Sequence, residues 1–451
     1  MRLLADTAPG SRPTYPPIVQ RLFLELSAGV RIETMTRRSL LYPASFALAR
    51  ILAASDKAAS RTPRELASDE DFWFQVREAF SIDRNIINLN NGSVCPSPRV
   101  VQDAMLKNQE VTQMQPSYYV DEFLIPHAEI IRKRLAALFG CHAEEMAITR
   151  NATESLEIIQ LGLPLKPGDE VLTTTQDYPS MLITWEQRVE RDGIVLKKFA
   201  FPTPPPSHDD LVSRFEQAIT PRTKIIHFSH VTYTTGQIFP VKKICQMARQ
   251  RGIETIIDGA HAIAQFPYKR DDLDCDYYGA SGHKWLSAPI GTGILYVRRD
   301  KISKVWPLFA SPKGMREDIR KFENIGTIPV ANRNAISEAL VFLDSIGLER
   351  KAARLQFLRE RWQGRVAQIH GVKIFNNPDP THSCALGAFS LPGWDSGKLV
   401  EALIKNYAVH TRPRFVPNEF QCVRVTPNVY TTLEEIDRFC EAVEELSTRQ
   451  A

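Results

Sequence analysis

The sequence of 451 residues lacks several features that would each define a class of protein. No uninterrupted apolar run reaches the about 18 residues of a membrane span. Lys and Arg number 56 against 52 Asp and Glu, and no basic block stands out, so we expect no nucleic-acid partner. The seven cysteines form no CxxC pair, which argues against a disulfide framework or a Cys-rich zinc site. We therefore expect no metal site, free thiols and, by default, a cytoplasmic protein.

Motifs that define common enzyme classes are also missing. The chain contains no GxxxxGK[ST], GxSxG, HExxH or GxGxxG pattern, so nucleotide hydrolases, serine hydrolases, zinc peptidases and dinucleotide-binding enzymes lose their usual support. The composition is 43% hydrophobic and 24% charged, which is typical of a globular protein.

Residues 1–62 differ from the rest and form an N-terminal extension. Arg37 and Arg38 precede an apolar stretch rich in small residues, a pattern that resembles a twin-arginine export signal to the periplasm. The alternative is a disordered or loosely docked arm with a coincidental Arg-Arg pair. Both interpretations stay open, and both leave this segment outside the prediction of the fold.

The remaining chain alternates short apolar strands with amphipathic helices, which predicts an α/β fold with a mostly parallel sheet covered on both faces. We expect an N-terminal segment plus a large domain over residues 63–330, and a small C-terminal domain over residues 331–451. The small domain opens with a long helical region and then reads as βαβ-like. Helices are expected at 65–80, 100–113, 126–139, 153–162, 180–192 and 241–251, and strands at 86–89, 146–149, 170–174, 224–229, 254–258, 277–280 and 293–297.

Two predicted strands of the large domain end at, or are followed by, residues that are able to take part in catalysis. Asp258 ends the apolar strand of Thr255-Ile256-Ile257-Asp258, and ligands of parallel sheets bind at the carboxyl ends of strands. Lys284 follows another strand, in Ser281-Gly282-His283-Lys284-Trp285. A lysine and a carboxylate so placed suit pyridoxal 5'-phosphate (PLP): the lysine forms a Schiff base with the aldehyde, and the carboxylate pairs with the pyridinium nitrogen.

The stretch 257–297, with Asp258-Gly259-Ala260-His261, Ser281-Gly282-His283-Lys284 and Gly291-Thr292-Gly293, resembles the class V aminotransferases, most closely their isopenicillin N epimerase-like branch. The resemblance runs from about residue 85 to residue 446. It implies the fold-type I PLP-dependent transferase fold: a large domain with a seven-stranded-type sheet and a small α+β domain. It also implies a homodimer with active sites at the subunit interface.

The resemblance also implies roles for individual residues. Lys284 is the Schiff-base lysine, Asp258 the pyridinium partner, and His261 lies near the phenolic oxygen of the cofactor. Tyr178 stacks on the ring and is a weak candidate for proton transfer on the face away from Lys284. The residues implied to contact the phosphate are Ser281, His283, Ala152, Thr153 and, across the dimer, Thr327. For substrate binding, Arg424 matches the arginine that holds the α-carboxylate, with Arg412 as a competitor and Asn91 near the mouth.

These expectations define an enzyme that acts at the Cα of a small amino-acid-like substrate. An epimerase or aminotransferase of class V is the first interpretation. A cysteine desulfurase or C–S lyase is the alternative, although residues 410–419, where desulfurases carry a nucleophilic cysteine, contain none. A catalytically inactive binding protein on the same fold is the alternative from another class. Substrate identity and the choice among epimerisation, transamination and elimination stay open.

Overall fold

The computed structural model of the chain describes residues 43–377 and 379–449. Its strands are β1 Ile87–Asn88, β2 Met146–Thr149, β3 Glu170–Thr174, β4 Val195–Phe199, β5 Thr223–Ser229, β6 Glu254–Asp258, β7 Tyr277–Ser281, β8 Gly293–Val297, β9 Lys373–Ile374, β10 Gly387–Ser390, β11 Val409–His410, β12 Arg412–Val416 and β13 Phe420–Val425.

The α-helices in the same residues fall before, between and after these strands. They are α1 Pro43–Lys57, α2 Pro63–Leu66, α3 Glu70–Arg77, α4 Arg99–Met114, α5 Pro116–Tyr119, α6 Ala128–Phe139, α7 Ala152–Gly162, α8 Pro179–Asp192, α9 His208–Ala218, α10 Val241–Gln250, α11 Val330–Asn334, α12 Ile336–Ile346, α13 Leu348–Val366, α14 Ser396–Tyr407 and α15 Leu433–Ser447. No helix in the part of the chain described here is long and apolar enough to cross a bilayer.

A seven-stranded sheet forms the large domain, with strand order β2-β8-β7-β6-β5-β3-β4. Strands β4, β3, β5, β6 and β7 run parallel, and β8 is antiparallel to both of its neighbours, β7 and β2. The predicted large, mostly parallel sheet is therefore confirmed. Its register places Asp258 beside Ser229 and Gly279, at the carboxyl edge where the strands end.

Helices cover both faces of this sheet, and alternate strand residues point to opposite sides. Ile226, Phe228 and Tyr278 pack with apolar residues of α4, α6, α9, α10 and α12 on one face. Ile225 and Tyr277 belong to the cluster on the other face, which α7 and α8 complete. Burial on both faces explains why these strands read as nearly continuous apolar runs.

The C-terminal domain carries a four-stranded sheet of order β12-β13-β10-β9 in which every pair is antiparallel. The predicted small α+β domain is confirmed, and its central part has the predicted βαβ-like arrangement. Strands β10 and β12 are each antiparallel to β13 and therefore parallel to each other, and α14 connects them, so they form a split β-α-β unit with β13 between its two strands. Strand β1 pairs in parallel with β11, Ile87 opposite Val409, so this early segment packs with the C-terminal domain.

Several elements differ from the sequence prediction. The helix predicted over 65–80 is two helices, because Asp69 starts a new one by accepting a hydrogen bond from the Phe72 N–H at 3.0 Å. Strand β4 and helix α9 were not predicted. Strand β4 is an edge strand without a fully buried position, so its sequence lacks the apolar run that marked the other strands.

Helix α1 lies at the edge of the catalytic body. Ile51 is fully buried with Phe72, Phe342 and Ile346, and the Ser55 hydroxyl donates to the Ser345 carbonyl at 2.7 Å. The end of the predicted N-terminal extension therefore contains helix α1, which packs against the rest of the protein through Ala47 and Ile51. Arg37 and Arg38, on which the export prediction depends, lie outside the described residues.

Candidate active site

Asp258 lies buried at the end of β6. Its Oδ1 accepts a hydrogen bond from the Ala260 N–H at 2.9 Å. Burial raises its pKa to about 6 from the ordinary value of 3.8, and the Ala260 bond and the nearby Lys284 charge oppose this rise. A buried carboxylate with a raised pKa attracts a cationic N–H donor, which is the property that a pyridinium partner needs.

Lys284 follows β7 and lies beside His261, with 3.2 Å between Nζ and Nε2. Burial lowers the pKa of Lys284 to about 8, against the opposing effect of Asp258, and the charges of Arg424 and Arg414 lower it further. Burial, followed by the Lys284 charge, also holds the pKa of His261 well below its usual value. The lysine amine is thus available near neutral pH, next to an uncharged imidazole.

The amino end of α7 forms a cradle next to this pair. Asn151 caps the helix by accepting from the Glu154 N–H at 2.8 Å, and the Ala152 N–H donates to Ser281 Oγ at 3.0 Å. Gly293 of β8 approaches closely, because a Cβ there would lie 2.7 Å from the Asn151 backbone. Backbone N–H groups at such a helix start favour a phosphate dianion. Thr153 lies in the first turn of the same helix.

Tyr178 caps the start of α8 and is 39% exposed, with its ring edge-to-face against Tyr233 at a centroid distance of 5.4 Å. The turn that carries it is fixed by Asp177. This buried carboxylate accepts from the Thr174 N–H at 2.9 Å and from the Ser229 N–H at 2.7 Å. The tyrosine is therefore held on a rigid turn while one side of its ring stays accessible.

Arg424 on β13 is fully buried, yet its hydrogen bonds go only to neutral groups. It donates to the Tyr233 carbonyl at 2.9 Å, to Asn90 Oδ1 at 3.1 Å and to Ser93 Oγ at 3.0 Å. Its Nε has no hydrogen-bond partner in the described protein. Burial lowers the pKa of Arg424, with Arg414 adding to the effect. A guanidinium held in place without a counter-charge is suited to bind a carboxylate.

Asn91, Arg412 and Thr327 are the remaining residues predicted to contact substrate or cofactor. The amide of Asn91 is engaged within the protein, because Nδ2 donates to the Thr426 carbonyl at 2.9 Å and Oδ1 accepts from the Tyr430 hydroxyl at 2.5 Å. Arg412 is exposed on β12, with its Cα paired with that of Arg424. Thr327 is exposed on the loop before α11. Their predicted roles stay predictions.

The sequence prediction missed four residues of this region: Asn90, Tyr233, Asp177 and Arg414. Asn90 and Tyr233 anchor Arg424 from other segments, and Arg414 lies over the Tyr233 ring at 5.3 Å. A signal for Asp177 was present, since a carboxylate that follows a buried strand occupies the same kind of position as Asp258. The other three become visible only when the two domains are brought together.

The residues present fit PLP. Nδ1 of His261 and Nδ1 of His283 are buried and have no hydrogen-bond partner in the described protein, so polar groups near Lys284 are left for a ligand. When PLP is bound, the α7 cradle would hold its phosphate, Asp258 would pair with its ring nitrogen and Lys284 would react with its aldehyde. These residues lie in a protein with a seven-stranded mixed sheet and a C-terminal domain built on a four-stranded antiparallel sheet. The site and the fold together define a PLP enzyme of fold-type I.

Comparisons with known proteins agree. The aminotransferase class-V family model matches residues 89–439. The chain is 31% identical over 394 residues to the isopenicillin N epimerase of Amycolatopsis lactamdurans, covering 83% of this chain and 98% of that protein. It is 26% identical to a probable cysteine desulfurase of Synechocystis sp., covering 82% and 94%. A C-DES variant with glycine covalently linked to the PLP cofactor has the same fold: TM-score 0.72, 21% identity, covering 80% of this chain and 96% of that one.

The chain belongs to the class V aminotransferase family. The predicted family, fold class and PLP cofactor are confirmed, and the protein is an enzyme. The chain is similar to both epimerases and desulfurases, so the comparisons alone do not distinguish between these two reactions.

Proposed function

We propose that this enzyme is an epimerase-type member of class V, which removes and returns the proton at the Cα of an amino-acid-like substrate. The observation that carries this proposal is that every cysteine thiol has a raised pKa and that none lies at the position of a desulfurase nucleophile. A desulfurase-type reaction needs a cysteine thiolate that reaches the substrate, and only the thiolate form is nucleophilic. Similarity to the Amycolatopsis lactamdurans epimerase over 83% of the chain supports the same choice.

All seven cysteines lie within the described residues, and burial raises the pKa of each one. Cys422 lies two residues before Arg424, but it packs with Phe375 and Ala388, and its pKa is raised to about 12. Residues 410–419 form β11, β12 and the following turn, with Phe415 pointing outward rather than a thiol. A persulfide-forming nucleophile therefore has no candidate at that position.

The chain's own residues suit proton transfer at Cα. Bound PLP supplies an electron sink that acidifies the Cα–H bond of an attached amino acid. Arg424 fixes the α-carboxylate, which orients Cα, and the Lys284 amine with its pKa near 8 takes and returns a proton on one face. Asp258 holds a proton on the ring nitrogen. Tyr178, held by the Asp177 turn, is our candidate for proton transfer on the other face.

The experiment is incubation of the holoenzyme with single amino acids in deuterated water. Exchange at Cα accompanied by loss of optical purity, with neither keto acid nor sulfide released, is the expected result. Lys284→Ala serves as the inactive control, and Tyr178→Phe tests whether only one face remains in exchange. Release of sulfide or of a keto acid as the main product would overturn the epimerase proposal, but the assignment of the protein as a PLP enzyme would still hold.

We further propose that the active enzyme is a homodimer. The Thr327 loop is linked to two exposed apolar segments, because Asn324 Nδ2 donates to the Ala310 carbonyl at 2.9 Å, and Asn332 Nδ2 donates to the Ile290 carbonyl at 3.0 Å. Ile290 is 67% exposed, and Trp306, near Ala310 in the chain, is 71% exposed. Large exposed apolar side chains of this kind mark interaction surfaces.

Sedimentation velocity of the purified protein should give a dimer. Trp306→Glu should shift it toward monomer and weaken PLP retention, whereas Leu106→Glu, at another exposed apolar position, is the matched control. A wild-type monomer with full activity would contradict this proposal.

A further inference from the structure

Three arginines share one face of the β12–β13 hairpin. The Cα partners are Arg412 with Arg424, and Arg414 with Cys422. Because side chains alternate along a strand, all four residues lie on the same side of the hairpin. Directly opposed residues of an antiparallel pair lie roughly 5 Å apart, and diagonal ones roughly 7–8 Å apart, so Arg414 and Arg424 are neighbours.

Within the described residues, no carboxylate neutralises this cationic face. None of the three arginines has a carboxylate within salt-bridge distance among residues 43–377 and 379–449, although most other buried arginines there are paired. The acid of the same hairpin, Glu419, accepts instead from Gln176 Nε2 at 3.3 Å. Two adjacent partly or fully buried cations repel each other, which is costly unless an anion joins them.

Arg414 is held in place without using its hydrogen-bonding groups. Its guanidinium lies over the Tyr233 ring at 5.3 Å, and its Nε is buried with no hydrogen-bond partner in the described protein. Stacking on an aromatic ring leaves the planar donor fork free for a ligand. The same Tyr233 anchors Arg424 through its carbonyl and contacts Tyr178 through its ring. Arg414 therefore belongs to the active-site wall.

The positive charge of Arg414 acts electrostatically on two groups of the catalytic centre. It lowers the pKa of Lys284 and of His261, as does the charge of Arg424. A ligand with one carboxylate would satisfy Arg424 and leave Arg414 uncompensated. A ligand with two anionic groups would satisfy both.

We propose that Arg414 is a specificity residue that binds a second carboxylate, carried by the side chain of the amino-acid substrate, while Arg424 holds the α-carboxylate. Arg412, exposed at the edge of the same face, adds long-range attraction for the dianion without a direct contact. This inference rests on the proposed function, since it assigns the substrate class of the same site.

The test uses carboxylates that lack an amine, so that binding requires no reaction with the cofactor. Glutarate and adipate are compared with valerate and hexanoate by isothermal titration calorimetry on the holoenzyme. We expect each dicarboxylate to bind at least tenfold more tightly than the monocarboxylate of equal length. Arg414→Gln should abolish this ratio, Arg414→Lys should restore part of it, and Arg424→Gln should weaken both ligand classes.

Arg412→Gln is the matched control on the same face. At low salt it should slow the association of dicarboxylates, while the ratio of dicarboxylate to monocarboxylate affinity should change little. Thermal unfolding of each variant checks that the fold is retained. Equal affinities for dicarboxylates and monocarboxylates in wild type, or an unchanged ratio in Arg414→Gln, would overturn the inference. Neither result depends on the D₂O experiment, so failure of the epimerase proposal and failure of this one are distinguishable.

Discussion

Lys284 Nζ lies 3.2 Å from Nε2 of His261, where burial lowers the pKa of both groups and so favours their uncharged forms. An unprotonated amine is the form that reacts with an aldehyde, so the pocket prepares Lys284 for its cofactor before any substrate arrives.

The pH dependence of cofactor loading follows from this pair. Because the pKa of Lys284 is lowered to about 8, the fraction of reactive amine rises as the pH increases through 8 and then levels off. The rate at which cofactor-free protein gains visible absorbance with PLP should show that midpoint in stopped-flow mixing. Lys284→Ala should gain none, and a midpoint near the ordinary lysine value of 10.5 would contradict the role assigned to burial.

Asp258 serves function, because its carboxylate can pair with the cofactor ring, but the same buried carboxylate lowers the stability of the folded protein as the pH rises. Its folded-state pKa of about 6 exceeds 3.8, so the folded protein binds more protons between these values and loses stability as the pH rises through them. At 1.36 kcal/mol per pKa unit, the loss is up to about 3 kcal/mol. Cofactor-free Asp258→Asn should therefore be more stable than wild type at pH 8 and nearly equal at pH 4.

Urea unfolding at the two pH values measures this difference. The same variant should exchange Cα protons at least tenfold more slowly when loaded with PLP, because an uncharged amide no longer holds the ring nitrogen protonated. A variant less stable than wild type at pH 8 would show that the Ala260 hydrogen bond outweighs burial.

The sequence predicted the sheet because parallel strands buried on both faces are apolar runs, and it predicted Asp258 and Lys284 because strand ends place chemistry at one edge. It missed β4, whose Lys197 and Lys198 break the run at the sheet's edge. It missed Asn90 and Arg414 for a different reason. The role of Asn90 depends on a contact with Arg424, more than 300 residues away in the chain. The role of Arg414 depends on the register of the β12–β13 hairpin. Neither relationship produces a local sequence pattern.

Asn90 should act as a positioning residue for Arg424. Its Oδ1 accepts from Arg424 at 3.1 Å, and a hydrogen bond to a charged group contributes about 1.5–3 kcal/mol. Asn90→Ala should raise KM for the amino-acid substrate roughly tenfold or more with a much smaller change in kcat. Arg424→Ala should raise KM further, with about 2–5 kcal/mol at stake. Steady-state kinetics should leave Asn85→Ala, an exposed position, at the wild-type KM.

Helix α1 should contribute to the stability of the catalytic body. Ile51 is fully buried against Phe342 and Ile346, and removing a buried side chain of this size costs about 2–5 kcal/mol. Ile51→Ala should lower the free energy of unfolding by that amount in urea titrations. Phe46→Ala, at a mostly exposed position of the same helix, should change it by about 0.5 kcal/mol or less. Equal effects of the two variants would show that α1 does not pack as described.

Packing of α1 also sharpens the test of export. If Arg37 and Arg38 belong to a twin-arginine signal, any cleavage compatible with a stable enzyme must precede α1, since loss of the helix would expose the surface that Ile51 covers. A reporter fused after residue 62 should reach the periplasm, and Arg37→Lys with Arg38→Lys should keep it in the cytoplasm. Mass spectrometry of the exported protein should find α1 intact. A reporter that stays in the cytoplasm in both forms would support the arm, and an exported protein that begins after Lys57 would contradict the structural role of the helix.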